Sequence, residues 1–163
     1  MALTGRCACR AITYRLRAKP LIVHACHCRD CQRITGSAFV INLWIERKFL
    51  EAAGPAPQSF TLQGGSGRRH DVFFCGACGT YLWSVYGGAS DNFVFVRAGT
   101  LERPASVTPD VHIFTRSKLP WVVLPEGVPA FRSFYRLEQV WSAASLERLG
   151  RRPAATRPRA ARG

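Results

Sequence analysis

The chain reads as an all-β domain followed by one helix and a basic tail, and three features predict this. Many short apolar or alternating runs fill the first 131 residues. Glycine and proline clusters separate them, at Gly54-Pro55-Ala56-Pro57, Gly64-Gly65-Ser66-Gly67 and Gly87-Gly88, where turn chemistry is concentrated. No internal repeat and no long helical period interrupts the pattern. A length of 163 residues with 47% hydrophobic content suits a single core, so a multi-domain enzyme is excluded.

Ala11 to Arg17 alternates through Ile12, Tyr14 and Leu16, the period of a strand with one buried face. Ala38 to Ile45 is a strongly apolar strand. Ser59 to Leu62, Arg69 to Phe74, Thr80 to Val85 and Asn92 to Val96 follow, rich in β-branched and aromatic residues. Five or more short strands at this spacing imply a sandwich, a barrel or a folded antiparallel sheet. Arg136 to Leu149 is expected to be a helix, because Leu137, Val140, Trp141 and Ala144 share one face while Glu138, Gln139, Glu147 and Arg148 fall elsewhere. Its stripe is expected to pack on the sheet body. Beyond Gly150 no apolar residue exceeds alanine in size, so burial cannot offset the entropy of ordering and the tail is expected to be disordered. The expected divisions are a domain over 1–135, a helix over 136–149 and a tail over 150–163.

The net charge of +13 suggests a nucleic-acid partner until its distribution is considered. Six arginines, Arg148, Arg151, Arg152, Arg157, Arg159 and Arg162, lie after residue 147 with no acid among them, which leaves the body at +7. Seven cysteine thiolates holding two divalent ions would lower that to about +4. Contact between the tail and nucleic acid is therefore expected to be weak at most. The longest uncharged apolar run, Ser37 to Ile45, is nine residues where a membrane span needs about 20. Arg6 breaks up any signal-peptide core, so the sequence reads as soluble and cytoplasmic.

In that compartment seven cysteines point to metal or catalysis rather than disulfides. They fall in three clusters: Cys7-x-Cys9, Cys26-x-Cys28-x-x-Cys31 and Cys75-x-x-Cys78. Cys75-Gly76-Ala77-Cys78-Gly79 has the form of a zinc knuckle, in which two intervening residues let both sulfurs reach one tetrahedral ion and Gly79 permits a left-handed turn. A knuckle needs two more ligands, and Cys7 and Cys9 are a plausible pair. Cys26, Cys28 and Cys31 then remain as a trio that would leave an ion's fourth position open for chemistry. His24, His27 or His112 could close that position and make the site inert. A redox pair at Cys28 and Cys31 is the weaker alternative, since no βαβ pattern surrounds it. A thiolate shell is soft and favours zinc over magnesium, calcium or manganese.

Gly5-Arg6-Cys7-Ala8-Cys9, Cys26-His27-Cys28-Arg29-Asp30-Cys31-Gln32-Arg33 with Gly36, Phe74-Cys75-Gly76-Ala77-Cys78-Gly79, Ala98-Gly99-Thr100-Leu101 and His112-Ile113-Phe114 with Pro120-Trp121 together resemble the glutathione-dependent formaldehyde-activating enzyme family, whose domain is shared with centromere protein V. The resemblance runs from Gly5 to about Phe131. It implies a β-tent of antiparallel sheets, a structural zinc on Cys7, Cys9, Cys75 and Cys78, and a catalytic zinc on Cys26, Cys28 and Cys31. It also implies a carbon–sulfur lyase activity, the condensation of glutathione with formaldehyde to S-hydroxymethylglutathione. Arg29 and Arg33 are candidates to hold the carboxylates of the peptide. The rival function is a non-catalytic zinc module whose basic tail contacts nucleic acid or another polyanion. No aromatic residue in the tail could stack on a base, and Trp44, Trp83, Trp121 and Phe93 read as core residues.

Overall fold

The computed structural model describes residues 2–151. In chain order its strands are β1 (Leu3–Arg6), β2 (Thr13–Leu16), β3 (Ile22–Cys26), β4 (Val40–Glu46), β5 (Leu50–Ala53), β6 (Gln58–Gln63), β7 (Arg69–Phe74), β8 (Tyr81–Tyr86), β9 (Phe93–Arg97) and β10 (Val111–Ile113), with helices α1 (Arg29–Thr35) and α2 (Ala143–Arg148). A three-stranded sheet has the order β1-β2-β5, and a seven-stranded sheet has the order β10-β3-β4-β9-β8-β7-β6. Every pair is antiparallel except β3 with β10. The all-β expectation holds, and the six expected strands fall on β2, β4, β6, β7, β8 and β9.

Alternation along the central strands creates two cores. Leu43 and Ile45 of β4, Val94 and Val96 of β9 and Val23 of β3 face Ile12, Tyr14 and Leu16 of the small sheet. Trp44, Ile22 and Cys26 point to the other face, where Phe93 and Phe95 also lie and where the C-terminal segment covers them with Tyr135, Leu137, Trp141 and Leu146. The centre of the large sheet, β3, β4 and β9, is thus covered on both sides, while β6 at its edge is exposed along its length. Trp44 and Trp141 meet edge to face with centroids 5.1 Å apart. Arg148 adds a two-pronged bond to the Glu46 carboxylate, at 3.1 Å and 2.6 Å.

The C-terminal segment packs as expected, but it is not one helix over 136–149. It splits into a 3-10 turn at Leu137–Gln139 and α2. Ser142 is the cause. Its backbone is extended (φ −64, ψ 153) and its Oγ accepts from the Ser145 N–H at 3.1 Å, an N-cap that restarts the helix. The restart changes the phase, so Ser145 and Leu146 are buried while Ala144, placed on the apolar face by a continuous helix, is exposed. The tail expected to be disordered lies, from Arg152 onward, outside the described residues. Among the described residues no helix is long and apolar enough to cross a membrane.

Candidate metal centre

Cys7 follows β1 and Cys9 sits in the loop to β2, while Cys75 and Cys78 lie in the loop joining β7 to β8. Both loops turn tightly. Arg10 N–H donates to Cys7 O at 3.0 Å with Arg10 at φ 67, and Gly79 N–H donates to Cys75 O at 2.8 Å with Gly79 at φ 69. These matching turns aim four sulfurs at one point, all within 4.8 Å of one another. The closest pairs are 3.4 Å (Cys7 to Cys9) and 3.7 Å (Cys9 to Cys75). A tetrahedral ion with metal–sulfur bonds of about 2.3 Å sets its sulfurs about 3.8 Å apart, so this group fits zinc without rearrangement. Cys7 and Cys75 are buried and Cys9 is exposed. The hydroxyl of Thr80, 3.0 Å from the Cys78 sulfur, helps pull that thiol down to about 5, and it also accepts from the Ala8 N–H at 3.0 Å, clasping one loop to the other.

The remaining three thiols form a second group within the same 4.8 Å limit. Cys26 ends β3, Cys28 is the N-cap of α1, and Cys31 lies in its first turn. The Cys31 N–H donates to Cys28 Sγ at 3.4 Å. Donation from Cys26, then Cys31, holds Cys28 far below the usual thiol range, and the same sharing pushes Cys26 well above it. Gly36 at φ 65 ends α1, its N–H donating to Gln32 O at 2.8 Å. Gln32 is buried and donates to His27 O at 2.7 Å and Ser117 O at 2.9 Å, fixing the helix to the loops around it.

No fourth His, Cys, Asp or Glu donor joins the trio among the described residues. The three histidines that could have closed it each meet another partner through one nitrogen, while His27 Nδ1 and His112 Nε2, both buried, have no hydrogen-bond partner. His24 Nε2 is 2.6 Å from the Tyr135 hydroxyl, and burial pushes its pKa down to about 3. His27 Nε2 is 3.0 Å from His112 Nδ1, with the two rings stacked. Arg29 and Arg33, the candidate carboxylate holders, are both exposed, and Arg29 donates to Gln32 Oε1. Neither lines the cleft beside α1. That cleft, about 450 Å³, is lined by Thr35, Phe39, Val40, Tyr81 and Arg97 among others. Arg97 was not apparent in the sequence. It closes an apolar run, Phe93-Val94-Phe95-Val96, where a charged residue reads as the solvated end of a strand.

Two packed sheets bearing two thiolate groups define a β protein equipped to bind metal ions. The chain belongs to the glutathione-dependent formaldehyde-activating enzyme family, whose sequence model matches residues 2–117. The match stops short of Pro120-Trp121 and of the C-terminal segment. A crystal structure of a Rhodobacter sphaeroides protein is similar with a TM-score of 0.48 and 22% sequence identity, over 65% of this chain and 91% of that one. Comparison with curated proteins gives no match.

Proposed function

We propose that the protein is a zinc-dependent carbon–sulfur lyase acting on adducts of glutathione with formaldehyde or a related small aldehyde, with one structural and one catalytic zinc per chain. The observation that carries this reading is the three-sulfur group without a fourth His, Cys, Asp or Glu donor among the described residues, beside a cleft of ligand size. Cys7, Cys9, Cys75 and Cys78 would hold the structural ion. Bound by Cys26, Cys28 and Cys31, a zinc ion supplies Lewis acidity at which a thiol ionises near neutral pH. In the condensation the glutathione sulfur forms a bond to the aldehyde carbon, and the thiol proton ends on the aldehyde oxygen. Breaking that bond is the lyase direction.

The chain's own part is positioning. Capping of α1 by Cys28 and the bonds of Gln32 keep the trio's spacing fixed, so little reorganisation is left to the moment of reaction. Phe39, Val40 and Ile41 give the cleft an apolar wall. The test combines metal analysis with the rate of S-hydroxymethylglutathione formation or breakdown. The expected result is close to two zinc ions per chain and a rate above the uncatalysed one that disappears in Cys26→Ser with the fold retained. A metal-replete protein giving no rate above background with formaldehyde or larger aldehydes would make it a non-catalytic zinc module instead.

A further inference from the structure

Arg97 is 6% exposed, yet among the described residues it has no acidic partner. Its Nη2 donates to the Tyr81 hydroxyl and to Ser84 Oγ at 3.0 Å, its guanidinium carbon lies 4.0 Å from the Tyr81 ring centroid, and its Nε has no hydrogen-bond partner. The Cys31 sulfur of the trio is close enough to interact with Arg97 electrostatically, but the hydrogen bonds of Arg97 go only to neutral hydroxyls, and with that sulfur committed to a metal the desolvation of the guanidinium is left largely uncompensated. His70, 3.4 Å from the Tyr81 hydroxyl, supplies no counter-charge, being neutral or positive in every state. The phenol can donate to that imidazole while accepting from Arg97, which leaves the guanidinium short of an acceptor on its Nε side.

The sheet register places this cation relative to the trio. Cys26 pairs with Val40, and Arg97 pairs with Asn42 on the other side of the same strand. All four positions fall on one face of the large sheet by alternation. Two strand spacings across and two residues along put the Cys26 and Arg97 backbones roughly 12 Å apart. The cleft is lined by Arg97, by Val40, which pairs with Cys26, and by Thr35, whose hydroxyl donates to Cys31 O at 2.7 Å, so the trio adjoins it through these residues without lining it itself. A molecule with its sulfur at the trio and an acid group several bonds away would span that interval.

Building on the thiol reading above, we propose that Arg97 grips a carboxylate of the thiol substrate in this cleft, so that the protein selects acid-bearing thiols over neutral ones. A carboxylate would satisfy the Nε, which has no hydrogen-bond partner within the chain, and give the guanidinium a hydrogen-bonded counter-ion. Tyr81 and Ser84 are positioning residues that hold the guanidinium flat against the cleft wall.

Calorimetry on the metal-replete protein tests this with three probes: glutathione, its diethyl ester with both carboxylates capped, and S-methylglutathione with its sulfur capped. Wild-type protein is expected to bind glutathione at least tenfold tighter than the diester, a comparison that needs no variant. Arg97→Gln should weaken glutathione about 10- to 100-fold, down to the level of the diester, leave diester binding unchanged, and recover in part in Arg97→Lys. Equal wild-type affinity for glutathione and the diester would overturn the proposal, as would a loss in Arg97→Gln that affects both alike, since Arg97 would then serve the thiolate cluster itself. The two readings fail separately. Turnover of glutathione without preference over the diester removes the role of Arg97 and keeps the lyase; Arg97-dependent binding of S-methylglutathione in a protein with no turnover keeps the anion grip and removes the lyase. No binding of any probe overturns the grip.

Discussion

Cys75 and Cys28 offer the same atom to a metal, but their surroundings give their loss different consequences. Cys75 is buried in the core shared by the two sheets, and its group joins the loop after β1 to the loop after β7. Cys28 joins β3 only to the helix that begins at the next residue, Arg29. Energy of binding at a site that the unfolded chain cannot form is folding energy, and more of it is at stake where distant segments are tied. Cys75→Ala is therefore expected to cost several kcal/mol and lower the melting temperature by on the order of 10 °C. Cys28→Ser should bring metal content toward one ion per chain with a far smaller shift. Equal melting shifts in calorimetry would mean the structural and open sites have been exchanged. The grouping of the cysteines was legible because ligand spacing is a local property. Arg97 was not, because its significance depends on which strands flank β9 and on what lies across the cleft.

At the scale of elements, the strands with clear alternation or strong β composition were legible, and the four strands that were not, β1, β3, β5 and β10, as well as α1, have local reasons; β1 is only Leu-Thr-Gly-Arg. β3 is buried at all five positions and carries His24 and Cys26, so neither alternation nor hydrophobicity marks it. β5 is Leu-Glu-Ala-Ala, poor in β-forming residues, and β10 is three residues long. α1 spans seven residues, too few for a helical period to show. The C-terminal segment shows an N-cap overriding a good amphipathic pattern, and the change of phase can be measured. Leu146 is 2% exposed, and Leu146→Ala should cost about 2–4 kcal/mol in urea unfolding. Ala144→Glu should stay within about 0.5 kcal/mol, since the side chain is exposed. The opposite ranking would restore a continuous helix from Arg136.

For the whole molecule, what the sequence could not reveal is which strands meet. Alternation assigns faces but not partners, and the division into three and seven strands depends on long-range pairings such as Val111 with His24. Once the pairing is known, the four-cysteine group stands out as a join between the sheets. The small sheet contributes only β1, β2 and β5 and is joined to the rest of the molecule by the shared core, by bonds of β1 and β2 to the segment after β9 (Glu102 N–H to Thr4 O at 2.9 Å, the Tyr14 hydroxyl 2.6 Å from Thr100 Oγ1) and by the two thiol-bearing loops. Without an ion, four thiolates held within 4.8 Å repel one another unless they take up protons, so metal removal loosens these loops before the central strands. Treatment with a strong chelator is therefore expected to raise amide exchange first over Cys7–Thr13 and Cys75–Tyr81. β4 and β9, each hydrogen-bonded on both sides and buried on both faces, should keep their protection. Exchange rising equally in β4 would show instead that the metal supports the fold as a whole, and unchanged exchange in both loops would show that hydrogen bonds such as Ala8 to Thr80 hold the sheets together without it.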